Sequence, residues 1–193
     1  MQYTRQSLRD RLCTRVDTEP GGDVAAPRSE GLPAAVLIGL VARPDGPTVL
    51  MTKRTEHLKD HAGQICLPGG RIEPEDDSVE AAALREAEEE IGLAPDKVEV
   101  LCRLSTYDTT TGFRIHPVVG WIEPPIAVQP DDHEVAEVFE LPLAFILDSA
   151  NHQRQSYHGS KARRSYYVLP FEGRFIWGAT AGMLVNFSKL LTR

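Results

Sequence analysis

Apolar residues run almost unbroken through AAVLIGLVAR, which begins at Ala34, the pattern of a strand buried on both faces. A PDGP turn and a second apolar run, TVLMTKR, follow, and the two runs together predict a β-hairpin. Beyond a long loop ending in Leu67-Pro68-Gly69-Gly70, the period changes. From Ser78 to Ile91 the pattern is helical, with Ser78 in the N-cap position and Gly92 placed to stop the helix. VEVLCRLSTY and FRIHPVVGWI predict two more strands, EVFELPLAFIL a strand leading into a short helix, and RSYYVLPFEGRFIW a last hairpin. The chain closes on a helix from Gly178 to Leu191, with apolar positions at Met183, Leu184, Phe187 and Leu191. Strands interspersed with helices predict an α/β fold whose mixed sheet is covered on both faces.

Ahead of this unit, the Gly-, Pro- and acid-rich segment VDTEPGGDVAAPRSEGLP reads as a linker. Residues 1–32 are therefore expected to form an N-terminal helix and linker, and residues 33–193 the domain proper. The opening MQYTRQSLRDRL lacks the apolar core of a secretory signal, and the longest apolar run is too short for a bilayer. Cys13, Cys66 and Cys102 are odd in number and form no CxxC, so no disulfide framework or zinc site is implied, and a reducing cytoplasm is the expected compartment.

Charge changes the picture. The 193 residues carry 21 lysines and arginines against 28 acids, a formal −7 that argues against holding nucleic acid by bulk charge. The excess is local: residues 73–90 hold nine acids and one base, while the rest of the chain has 20 bases against 19 acids. On a helix, Glu86, Glu89 and Glu90 stand at i, i+3 and i+4 and share one face, whereas Ala83, Leu84, Ala87 and Ile91 form the adjoining, buriable face. Carboxylates this close raise each other's pKa unless a cation joins them, and an all-oxygen set suits Mg²⁺ or Mn²⁺. Glu-rich helices are also common as plain solvated faces. The context distinguishes this one, because a rigid proline and two glycines before it allow close backbone approach to a ligand.

Gly70 followed by Arg85-Glu86-Ala87-Glu88-Glu89-Glu90-Ile91-Gly92-Leu93 resembles the Nudix box, G-x5-E-x7-R-E-U-x-E-E-x-G-U, with U aliphatic. Gly70 stands one residue farther from Arg85 than that pattern has it, and Asp76 or Asp77 replaces the first Glu, according to where the extra residue falls. Leu50-Met51-Thr52-Lys53-Arg54, then Lys59, Gly63 and Leu67-Pro68-Gly69-Gly70, is similar to the motif of the coenzyme A pyrophosphatase branch, with Thr55, Lys59 and Leu67 departing from it. The resemblance spans about residues 33 to 190. It implies a Nudix-type α/β/α sandwich and a Mg²⁺- or Mn²⁺-dependent pyrophosphohydrolase, acting on coenzyme A or acyl-coenzyme A. It further implies Glu86, Glu89, Glu90 and the backbone carbonyl near Gly70 as metal ligands.

Other residues are candidates on chemistry. Lys53, Arg54, Lys59 and Arg114 can grip phosphates alongside Gly69 and Gly70, Arg85 can orient a carboxylate, and Glu134 is a loop candidate for proton acceptor. His57 and His61 lack the central Glu of HExxH and are not read as zinc ligands; no P-loop occurs; Cys66 reads as a small buried residue. Trp177 and the Tyr166-Tyr167 pair are read as core, with stacking on a substrate as the other reading. The expected partner is a small molecule, neither nucleic acid nor membrane, with a homodimer left open. Two rivals remain: another nucleoside diphosphate-linked substrate such as a dinucleotide, nucleotide sugar or nucleoside triphosphate, and a noncatalytic ligand sensor of the same fold.

Overall fold

The computed structural model describes residues 3–13, 21–22, 31–158 and 163–192, so residues 16–20 and 23–30 of the expected linker lie outside the described part. In chain order the elements are α1 (Arg5–Cys13), β1 (Gly21–Gly22), β2 (Leu32–Val41), β3 (Thr48–Arg54), β4 (Ile65–Cys66) and β5 (Gly69–Arg71). Then come α2 (Val79–Ile91), β6 (Val98–Arg103), β7 (Tyr107–Asp108), β8 (Phe113–Ile122), β9 (Val135–Pro142) and α3 (Leu143–Leu147). The chain ends with β10 (Gln153–His158), β11 (Arg163–Phe171), β12 (Arg174–Trp177) and α4 (Gly178–Thr192).

The predicted hairpin forms only at its closed end. β2 and β3 pair antiparallel at Leu40↔Val49 and Val41↔Thr48 and then part. β2 instead runs parallel to β8 along its whole length, from Leu32↔Phe113 to Val41↔Ile122, while β3 pairs antiparallel with β9. Into the opening comes β5, antiparallel to Ala34–Val36 of β2. The divergence of the two strands thus seats the Gly69-Gly70 turn on the central strand of the sheet.

Alternation along β2 divides the core. Ala35, Leu37 and Val41 face one side and pack with Ala82, Ala83, Ala87 and Ile91 of α2. Val36, Ile38 and Leu40 face the other side, with Leu8 and Leu12 of α1, Leu143 and Ile146 of α3 and Leu184, Phe187 and Leu191 of α4. The mixed α/β architecture with helices on both faces is as the sequence predicts. No described helix is long and apolar enough to cross a membrane.

A second sheet of β10, β11 and β12, all antiparallel, stands beside the first. β10 is absent from the sequence prediction because QRQSYH carries no apolar alternation; its partner, not its own pattern, makes it a strand. Trp177 corrects the core assignment: Tyr167 packs against the larger core, but Trp177 at the end of β12 is 41% exposed.

Candidate functional site

α2 forms where the sequence placed it. The Ser78 hydroxyl accepts from the Ala81 N–H at 3.0 Å, and Gly92, at φ 66°, closes the helix with its N–H on the Glu88 carbonyl. Burial of Ala83, Ala87 and Ile91 against the sheet fixes the helix rotation and directs Glu86 and Glu90 toward β5. Glu90 is itself buried and accepts the Gly69 N–H at 3.2 Å. Gly69 adopts φ 153°, and a Cβ there would fall 2.6 Å from the Val36 Cα, so only glycine fits. At Gly70 the obstacle is functional, since an added Cβ would come within 3 Å of the Glu86 carboxylate. The missing side chain of Gly70 is the space the Glu86 carboxylate occupies.

The electrostatics of this corner favour a cation. Burial pushes the Glu90 carboxyl up to about 7, with Glu86 and Glu134 adding to the rise and the Gly69 N–H and Arg54 opposing it. Glu86 is raised as well, chiefly by burial, with Arg85 opposing and Glu89 and Glu134 reinforcing. Carboxylates whose pKa burial raises, beside the two glycines of β5, make a donor set suited to a hard divalent ion. Glu89 differs from the expected convergence. Its side chain is 60% exposed and bonds Arg85 at 2.9 Å, so no three such side chains among the described residues converge on one point. Glu89 is drawn to the Arg85 guanidinium, which also binds Glu86.

Arg85 does more than orient one carboxylate. Its guanidinium binds Asp76 bidentately at 2.9 and 3.1 Å, Glu86 at 3.1 Å, Glu89 at 2.9 Å and the Arg71 carbonyl at 3.1 Å. Asp76 is the acid that meets Arg85, and its side chain is 6% exposed, so the extra residue of the helix approach falls between Asp76 and Arg85. The Arg85 guanidinium in turn holds the Asp76 carboxyl below the usual carboxylate range. Changing Asp76→Asn should leave the fold intact and lower turnover roughly tenfold or more, the usual cost of losing a group that orients a ligand. Circular dichroism beside steady-state rates checks this, and unchanged rates would remove Asp76 from the site.

The structure sorts the predicted phosphate-gripping residues. Arg54 reaches Glu90 at 3.4 Å and Glu134 at 3.6 Å, and its buried Nε–H meets no acceptor among the described residues. Glu134, on the turn before β9, is thus tied to the same corner as Glu90. Lys53 pairs with Glu56 at 3.5 Å, and Lys59 sits exposed on the following turn. Arg114 is engaged bidentately by buried Asp108, at 2.9 and 3.1 Å, a contact that braces β7 against β8. His57 meets His133, at 3.3 Å, rather than His61. Burial pushes the Cys66 thiol up to about 11, which keeps it protonated.

A cavity of about 730 Å³ opens beside this corner, lined at one end by Arg54, Gly69, Gly70 and Glu90 and elsewhere by Phe113, Tyr166, Trp177 and Met183. Three of its walls escaped the sequence reading of the site: Arg71, whose guanidinium lies over the Phe113 ring at 5.8 Å, the Thr109–Thr111 turn, and Phe113 itself. No spacing rule links these segments to α2; the parallel pairing of β2 with β8 brings them together.

Residues 31–159 match the family model of the NUDIX domain. The chain is 40% identical over 156 residues to the uncharacterized Nudix hydrolase NudL of Yersinia enterocolitica, covering 81% of this chain and 80% of that one. It is 39% identical, over 81% of its length and 78% of the relative's, to NudL of Yersinia pestis. Among solved structures, the NUDIX domain of Shewanella oneidensis NrtR complexed with ADP ribose superposes with a TM-score of 0.51 at 20% identity, over 84% of this chain and 88% of that one. A C. elegans Ap4A hydrolase binary complex does so at 0.50 and 19%, over 57% and 80%. At these identities the structural likeness speaks to the fold alone.

Proposed function

The chain belongs to the Nudix hydrolase family, and from that premise we propose that it hydrolyses the phosphoric anhydride of coenzyme A or acyl-coenzyme A, releasing 4′-phosphopantetheine and adenosine 3′,5′-bisphosphate. The observation that carries the reading is the meeting of Glu90, Gly70 and Arg54 at one end of a cavity, with the Glu86 carboxylate seated against Gly70. The coenzyme A assignment is supported by the resemblance of Leu50–Arg54, Gly63 and Leu67–Gly70 to the motif of that branch.

Glu86, Glu90 and the Gly70 carbonyl would hold Mg²⁺ or Mn²⁺, joined by Glu89 once it leaves Arg85, and the ion when bound neutralises phosphate charge and lowers the pKa of a bound water. The chain's own residues do the rest. Arg54, which lines the cavity, binds the anhydride oxygens and keeps Glu90 and Glu134 turned to the same point. Glu134 accepts the proton of the attacking water, being exposed enough to pass it on to solvent. Arg85 holds Glu86 and Asp76 in register and serves as a positioning residue. A pure ligand sensor gains nothing from burying two mutually repelling carboxylates, which favours a catalyst over that rival.

The test is a panel of coenzyme A, acyl-coenzyme A, dinucleotides, nucleotide sugars and nucleoside triphosphates with Mg²⁺ or Mn²⁺, products read by mass spectrometry. Release of 4′-phosphopantetheine at the highest kcat/KM is expected. Preference for another member would overturn the coenzyme A assignment, and turnover of none would overturn the hydrolase reading.

A further inference from the structure

Among the described residues the exposed large hydrophobics are Leu32, Phe175 and Trp177, and of these only Trp177 lines the cavity. Leaving an indole 41% exposed at a cavity rim, next to fully buried Ile176 in the same strand, is not required by packing. Its position is nevertheless fixed. The Tyr166 ring meets it edge to face with centroids 5.8 Å apart, the Tyr166 hydroxyl donates to Gln155 Oε1 at 3.2 Å, and β11 pairs Val168 with Trp177. The ring is presented on an edge strand paired with β11 and is braced by Tyr166, so little freedom is lost when a ligand docks on it.

We propose that Trp177, braced by Tyr166, is the stacking surface for the nucleobase of the substrate; the inference rests on the reading that the Gly70–Glu90 end of the same cavity holds the anhydride. A flat, immobilised and partly exposed aromatic face suits a planar heteroaromatic ring, whereas a flexible saturated chain gains no more from it than from any apolar wall. The surrounding groups fit a base as well. Ser165, Gln64, His61 and the Thr109–Thr111 turn share the cavity and offer the donors and acceptors that a base edge needs. The assignment orients the substrate: the nucleotide half lies along β12 and the pantetheine half points away from it.

Intrinsic fluorescence tests this in the intact chain, because the only other tryptophan, Trp121, is buried and donates to Glu123. Adenosine 3′,5′-bisphosphate should quench the emission saturably, whereas ribose 5-phosphate and 4′-phosphopantetheine should not. Trp177→Phe should abolish the quench with binding largely kept, as followed by calorimetry. Trp177→Ala should weaken that binding, and raise KM for the preferred nucleotide substrate, by about tenfold or more, with kcat held within about twofold. Quenching by 4′-phosphopantetheine in place of the bisphosphate, or an unchanged KM in Trp177→Ala, would overturn the proposal. Failure of hydrolysis across the substrate panel would instead strike the proposed function, since the quench is read without turnover.

Discussion

Replacing Glu90 by Gln should reduce kcat/KM about a thousandfold while leaving the fold as stable as before or more so. The loss follows from removing a carboxylate proposed to hold the divalent ion, an effect of several kcal/mol at about 1.4 kcal/mol per tenfold. The stability follows from burial: Gln keeps an oxygen to accept the Gly69 N–H at the same place but brings no charge into the interior. The pH dependence gives the second half of the test. Because burial raises the Glu90 carboxyl to about 7, the folded chain holds that proton more tightly than the unfolded chain does. The resulting stabilisation is complete below the ordinary carboxylate value of about 4.5 and is lost as pH rises through 7. Thermal unfolding of the chelator-treated protein should therefore show stability falling between roughly pH 4.5 and 7, with a shallower fall in Glu90→Gln. A variant that keeps its rate at saturating metal, or loses its fold, contradicts the assignment.

Gly70→Ala should cost about a hundredfold in turnover with the fold retained, whereas Gly69→Ala should fail to fold normally. The two glycines are adjacent and fail for different reasons. The nearest atoms to a Cβ on Gly70 are the end of the Glu86 side chain, which can swing aside, so the chain survives and the carboxylate is misplaced by an ångström or more. A Cβ on Gly69 meets the backbone of Val36 at a φ of 153°, and relief would require β5 to leave β2. Circular dichroism, thermal unfolding and rates on both variants separate the cases. Equal loss of stability in the two would show that Gly70 is a packing glycine rather than a seat for Glu86.

The acidic helix was legible because every signal in it is local. Ser78, Gly92 and the spacing of Ala83, Ala87 and Ile91 fix where α2 begins, ends and faces, and i, i+3, i+4 geometry then puts Glu86, Glu89 and Glu90 on one side. The strand AAVLIGLVAR was equally plain, but its partner was not. An apolar run followed by PDGP reads as a hairpin, yet β2 spends its length on β8, some eighty residues away, because a strand buried on both faces takes whichever neighbour completes the sheet. β10 shows the same limit from the other side, since a polar strand with no alternation exists only through β11. Trp177 was misassigned to the core for a related reason: aromatic residues near the end of a hairpin carry no mark of which one meets solvent.

The sequence by itself determined the family, the mixed α/β class, the carboxylate helix and the glycine turn, all written in short-range spacing and residue type. The tertiary structure decided which acid binds Arg85, that Arg54 and Glu134 join Glu90 while Arg114 is claimed by Asp108, and that Phe113, Tyr166 and Trp177 wall the cavity. These contacts join segments that are distant in the chain, and their geometry is set by strand pairing and packing, which no local pattern encodes.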